Sequence, residues 1–176
     1  MSAYSAIASL SRRPAAAAGI AGLLQSATST RSPYFSDGVH LNACGLREAL
    51  PLIKAVLEEV DADACVSDSS LCAGETDRWG EMASRLLPLP TVAWWGASFT
   101  GKTFAKAVLQ VWKGNRDAKS IAVFIAGNDC KPGNDRATVQ DALVQLRKYW
   151  LEIGVELIYI DVVPDAYRDV EIDDKA

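Results

Sequence analysis

The sequence predicts an α/β domain built on a parallel sheet, because short apolar runs alternate with amphipathic stretches from residue 61 onward. Four runs, at 62–66, 91–95, 120–126 and 155–161, are largely apolar. Such runs are typical of strands that helices cover on both faces. With 176 residues, of which 49% are hydrophobic and 23% charged, the chain has the length and composition of one soluble globular domain.

Helices are predicted between these strands. Apolar residues recur at helical spacing in 79–86, 104–111 and 139–150, and this spacing indicates crossover helices. A further apolar stripe runs through 46–60 and is interrupted by Pro51. We expect the proline either to kink this helix or to delay its start by one turn.

The two ends of the chain differ in composition from its middle. Residues 1–33 are assigned to an N-terminal extension, 34–164 to the domain and 165–176 to an acidic tail that we expect to fray. The first 36 residues lack Asp and Glu and are rich in Ala and Ser, as in organellar targeting segments. A packed N-terminal helix fits equally well, so cytoplasmic and organellar localisation both stay open. The apolar run 15–24 is too short to span a bilayer, and no membrane span is expected.

Charge and cysteine usage narrow the function classes. The net charge of −4 provides no basic face for phosphates, so no nucleic-acid partner is expected. Cys44, Cys65, Cys72 and Cys130 have neither CxxC nor metal-ligand spacing, which predicts free, mostly buried thiols and no metal centre. His40 is the one histidine, so any imidazole chemistry depends on it.

Polar residues follow three of the predicted strands. Ser67-Asp68-Ser69 follows the first, 96–103 the second and Gly127-Asn128-Asp129 the third. Ligands of open parallel sheets bind outside the carboxyl ends of the strands. These three junctions are therefore the candidate positions for a site.

These junctions resemble the blocks of the SGNH (GDSL-like) serine hydrolase family. The family's nucleophile block is similar to Ser67-Asp68-Ser69 with the following Leu71, Ala73 and Gly74. Its second block is similar to residues 99–103, and its third block to Gly127-Asn128-Asp129. The family's C-terminal DxxH block is absent after the fourth strand, and Asp37-Gly38-Val39-His40 stands instead ahead of the nucleophile block. The resemblance covers about 34–164, and its rotated order fits either a circular permutant or a slice through tandem domains.

The resemblance implies a three-layer αβα sandwich with a flavodoxin-like parallel sheet of four to five strands, and hydrolysis of a small-molecule carboxylic ester or thioester. Ser69 would attack the carbonyl carbon, His40 would act as general base and Asp37 would orient the imidazole. The N–H groups of Ser69 and Gly101 and the side-chain amide of Asn128 would bind the oxyanion. No metal or organic cofactor is implied, because this mechanism uses only side chains and water.

The nucleophile block departs from the family pattern. Ser67 stands where the family has Gly, and Ser70 is inserted before Leu71. Ser69 is the preferred nucleophile and Ser70 the alternative. Asp129 is expected to be a local cap or a supporting partner of the site residues. The five tryptophans are expected to fill the core or an interface.

Two other functions fit parts of the sequence. Residues Gly96 to Thr103 match the pattern GxxxxGK(S/T) between a strand and a helix, which is typical of a phosphate-binding P-loop. A nucleotide-binding protein is therefore one alternative. The other is a protein that has the SGNH fold without turnover, either a binding module or a fragment.

Overall fold

The computed structural model describes residues 2–26, 40–74, 77, 79–131 and 133–168. Its centre is a four-stranded sheet in which every neighbouring pair is parallel, in the order β2-β1-β3-β4. The strands are β1 (Ala64–Ser67), β2 (Thr91–Ala93), β3 (Ser120–Ile125) and β4 (Glu156–Asp161). The predicted parallel sheet is confirmed, and each strand lies within or next to an apolar run of the sequence.

Helices cover both faces of this sheet. They are α1 (Ala3–Leu10), α2 (Ala15–Gln25), α3 (Ala43–Val60), α4 (Glu81–Leu86), α5 (Thr103–Lys113), α6 (Arg136–Ile153) and α7 (Asp165–Arg168). One core cluster joins α1, α5 and α6 to Ile121 and Val123 of β3, and the other joins α2, α3 and α4 to Ala122 and Phe124. Because successive side chains of a strand point to opposite faces, β3 contributes to both clusters. The architecture is the predicted three-layer sandwich.

The N-terminal segment belongs to the packed structure. Arg12 forms a parallel bridge with Ile160: its N–H donates to Tyr159 O at 2.8 Å, and its carbonyl accepts from Asp161 N at 2.9 Å. Arg12 therefore occupies a fifth position in the sheet, beside β4. The helices on either side of it lie on opposite faces, with Ile7 of α1 and Ile20 of α2 buried.

Helix α3 begins before its proline. Asn42 caps the helix by accepting the N–H of Gly45 at 2.9 Å, and the helix runs through Pro51 to Val60. The expectation that the proline delays the helix start by one turn is therefore wrong. Asp61 ends the helix with a positive φ of 54°. The cap matters for the site, because His40 lies two residues before Asn42 and the intervening Leu41 is fully buried.

In the part of the chain that the structure describes, no helix combines the length and apolar character needed to cross a membrane. Helix α7 occupies the first residues of the acidic tail, Asp165–Arg168, and residues 169–176 lie outside the described part.

Candidate active site

A cavity of about 180 Å³ lies at the carboxyl ends of β1, β3 and β4. Residues that follow these three strands form much of its wall, as expected for a ligand site of an open parallel sheet. The end of α2 and His40, two residues before the α3 cap, also line it. The lining residues are Leu24, Gln25, His40, Asp68, Ser69, Ser70, Ala126, Gly127, Asn128, Lys131, Pro164, Ala166 and Tyr167.

The predicted nucleophile, Ser69, lies in a short 3-10 helix directly after β1. Asp68 caps this helix through Oδ1, which accepts the N–H of Ser70 at 2.9 Å, while Oδ2 accepts the N–H of Ala126 at 3.0 Å. One buried carboxylate thus ties the end of β1 to the end of β3. Burial raises the pKa of Asp68, and its hydrogen bonds to Ser70 and Ala126 oppose that rise.

The two candidate serines differ in their hydrogen bonds. Ser70 Oγ lies 3.1 Å from Ser67 Oγ, and these buried hydroxyls share a hydrogen bond. The Ser67 hydroxyl therefore stabilises the turn at the position where the family has Gly. Among the described residues, no hydrogen bond engages the Ser69 hydroxyl, although Ser69 is only 6% exposed and lines the cavity. Of the two candidates, Ser69 thus has the hydroxyl that no described residue engages, and within the described ranges no hydrogen bond joins it to His40.

His40 lines the same cavity as Ser69. Its ring packs on Trp95, with centroids 4.1 Å apart and an angle of 36° between the planes. Trp95 lies two residues beyond the end of β2, so the ends of three strands contribute to the surroundings of the imidazole and the serine. Asp37, the predicted orienting carboxylate, lies outside the described residues.

Sequence reasoning missed the role of Trp95. Trp150 is 2% exposed and fills the core as expected, and Trp95 packs against a core cluster while its ring also contacts the histidine. The available signal was its position just after a strand, on the side where the site lies. The aromatic face restricts the orientation of the imidazole, which is the physical contribution of this contact.

Asn128 reaches the cavity from the end of β3. Its Nδ2 donates to Ala97 O at 2.8 Å, which fixes the amide and leaves its second hydrogen for another acceptor. The neighbouring Gly127 permits close packing by Tyr167, because an added Cβ would lie 3.0 Å from the Tyr167 ring.

Gly101 is not brought to the cavity. Its N–H donates to Ser98 Oγ at 2.9 Å, and Gly101 is absent from the cavity lining. The prediction that its N–H joins Ser69 and Asn128 in an oxyanion hole therefore disagrees with this geometry. The physical reason is local, because Ser98 supplies the acceptor that closes a turn at Gly101.

The glycine-rich loop that matches a P-loop pattern already binds an anion of its own chain. The carboxylate of Asp129 accepts the N–H of Phe99 at 3.0 Å and the N–H and hydroxyl of Thr100 at 3.1 Å each. The N–H of Ser98 donates to Thr103 Oγ1 at 2.7 Å, and Lys102 is exposed. Amides that already have acceptors are not free to surround a phosphate, so this arrangement weighs against the P-loop alternative.

Asp129 therefore supports a neighbouring loop rather than capping its own turn. It is 1% exposed and joins the loop after β2 to the loop after β3. Burial raises the pKa of this carboxyl group, while the donors from Phe99 and Thr100 oppose the rise.

Part of the cavity wall comes from segments assigned to the extension and the tail. Leu24 and Gln25 lie at the end of α2, and Ala166 and Tyr167 lie in α7. The N–H of Ala166 donates to Gln25 Oε1 at 2.9 Å and so links the two helices. Sequence reasoning missed these residues because neither segment carries a motif.

The four cysteines are free, with Cys44 exposed and the other three buried. Burial raises the pKa of the Cys72 and Cys130 thiols to about 12, which makes them unreactive at neutral pH. No cluster of three or more His, Cys, Asp or Glu suited to a metal ion occurs within the described ranges.

Comparisons with family models, with curated proteins and with solved structures found no match to this chain.

Proposed function

We propose that the protein is a serine ester hydrolase that works through an acyl-enzyme on Ser69. The observation that carries this proposal is the convergence of a hydroxyl, an imidazole and an amide on one small cavity. Ser69, His40 and Asn128 come from three separate segments of the chain and line the same 180 Å³ space. These are the groups that acyl transfer by a serine nucleophile requires.

The proposed reaction begins when His40 removes the proton of the Ser69 hydroxyl as Oγ attacks the ester carbonyl carbon. The oxyanion that forms is held by the Ser69 N–H and the second amide hydrogen of Asn128. His40 then protonates the leaving alcohol or thiol as its bond to the acyl carbon breaks. A water molecule, deprotonated by His40, attacks the acyl carbon; as the bond to Ser69 Oγ breaks, His40 returns the proton to Oγ and the acid leaves, with Asp37 holding the imidazole in the required tautomer.

The position of the N-terminal segment supports the permuted family order. Arg12 pairs with β4, and the segment that follows it leads to the DxxH block and α3 before the chain enters β1. A chain with the family's order of blocks would begin at β1, and its C-terminal part would continue into the segment that is N-terminal here. Its helices and strands would occupy the same positions in space. The resemblance can therefore account for the early position of His40.

A matched set of variants tests the activity. We expect the wild-type protein to hydrolyse p-nitrophenyl acetate, and Ser69→Ala and His40→Ala each to lower kcat/KM by about 1,000-fold or more, as loss of triad members does elsewhere. Ser70→Ala is the control, because its hydroxyl bonds to Ser67, and we expect it to change kcat/KM by less than about tenfold.

Two results would count against this assignment. Full activity in Ser69→Ala with loss in Ser70→Ala would move the nucleophile by one residue. A folded wild-type protein that hydrolyses none of a panel of esters and thioesters would instead favour the binding-module alternative.

A further inference from the structure

We propose that this site selects esters of short acyl groups, of about two to four carbons, and excludes long acyl chains. The inference rests on the proposed hydrolase function and names its substrate class. Three features support it: the size of the cavity, the apolar character of part of its wall, and the packing that holds this wall in place.

The size of the cavity limits the acyl group. An engineered protein cavity of about 150 Å³ holds one benzene molecule, which has six carbons. The cavity here measures about 180 Å³, and part of it must hold the ester carbonyl and the leaving oxygen beside Ser69. The remaining space suits a short acyl chain, and a longer chain would have to extend past the lining residues toward solvent or displace them.

Part of the cavity lining is apolar, with contributions from Leu24, Ala126, Pro164 and Tyr167. A short hydrocarbon chain leaves water when it contacts this wall, which stabilises the bound ester by about 25 cal/mol per Å² of apolar surface. We infer that the acyl group, rather than a polar leaving group, contacts this part of the lining.

Packing holds the apolar wall in place. Leu24 is 7% exposed and belongs to the core cluster beneath α2 and α3. The Tyr167 ring lies against Gly127, and the hydrogen bond from Ala166 N to Gln25 Oε1 joins the two wall helices. A long acyl chain that stays on this wall would have to displace Leu24 or Tyr167 from these contacts, and one that extends into solvent would gain no apolar contact there; both costs oppose its binding.

A chain-length series tests the selection. We expect wild-type kcat/KM for p-nitrophenyl octanoate to be at least tenfold below the values for the acetate and the butyrate. Leu24→Ala should raise the octanoate-to-acetate ratio at least fivefold, and Tyr167→Ala should raise it in the same way. Leu24→Phe should lower the butyrate-to-acetate ratio, because the larger ring fills the same space.

The control is Leu23→Ala, which truncates a partly buried leucine of the same helix that does not line the cavity. We expect this variant to keep the wild-type ratios.

If Leu24→Ala does not fold, Tyr167→Ala and the wild-type series provide the test. The inference is overturned if the wild-type protein hydrolyses the octanoate as well as the acetate, or if neither cavity variant changes the ratio. Either outcome would leave the proposed hydrolase function standing. If the wild-type protein showed no hydrolysis that depends on Ser69, the proposed function itself would be wrong.

Discussion

Asp161 is a buried carboxylate at the end of β4, and two residues of the N-terminal segment bind it. It is 2% exposed and lies 3.2 Å from Nη1 of Arg13, while the hydroxyl of Tyr4 donates to its Oδ2. Burial, followed by the contact with Asp161, raises the pKa of Tyr4 to about 12. A buried carboxylate that loses its cation leaves an uncompensated charge, so Arg13 is the expected anchor of this segment.

The neighbouring arginine provides a matched control for this anchor. We expect Arg13→Ala to lower the free energy of unfolding by about 2–4 kcal/mol, because it breaks a largely buried ion pair. Arg12→Ala removes only an ion pair of 3.6 Å to Glu156, in which both side chains are 59% exposed, and should cost less than about 1 kcal/mol. Urea unfolding of both variants measures the difference. Equal losses in the two variants would show that Arg13 is not the anchor.

At the scale of single residues, short patterns singled out part of the cavity lining. Ser69 and Asn128 were predicted from patterns that follow strands, His40 from a DxxH pattern ahead of a helix, and all three line the cavity. Gly101 was also predicted from a pattern, yet its position depends on the bond to Ser98, which no pattern encodes. Leu24 belongs to no motif. It reaches the cavity through the packing of α2, which no short sequence pattern predicts.

At the scale of elements, apolar runs were sufficient to locate β1 to β4 and most of the helices. The fifth position of the sheet could not be predicted in this way, because Arg12 is a polar residue that pairs alone between two helices. Backbone hydrogen bonds to β4 place it there, and these depend on tertiary structure. Asp61 and Ala62 connect α3 to β1. In the unpermuted order that the resemblance implies, α3 would be the last helix and β1 the first strand, so this connection would not exist.

This connection can be opened to test the arrangement of elements. Ser2 Oγ lies 3.2 Å from the carbonyl oxygen of Arg168, so the first and last described residues are neighbours. We expect a variant that begins at Ala62, with residue 176 joined to residue 1 by a short Gly/Ser linker, to fold cooperatively. Circular dichroism and urea unfolding would measure this, and ester hydrolysis should stay within about tenfold of the wild type. A permuted chain without native helicity would contradict the proposed equivalence of the two orders.

At the scale of the whole molecule, the proposed chemistry depends on three distant segments sharing one cavity. The segment before α3 brings His40, the turn after β1 brings Ser69 and the turn after β3 brings Asn128. The parallel sheet determines this meeting point, because the carboxyl ends of its strands lie at one edge. The N-terminal and C-terminal helices then close the cavity, and their contribution follows from tertiary packing alone.

The most direct test of the central claim is to find which hydroxyl becomes covalently modified. A fluorophosphonate probe, followed by trypsin digestion and tandem mass spectrometry, should place one adduct on Ser69 within the peptide of residues 55–78. The same adduct should be lost in His40→Ala and kept in Ser70→Ala. Absence of any adduct on this peptide in the folded wild-type protein, under conditions that label a known serine hydrolase, would contradict the claim that Ser69 is an activated nucleophile.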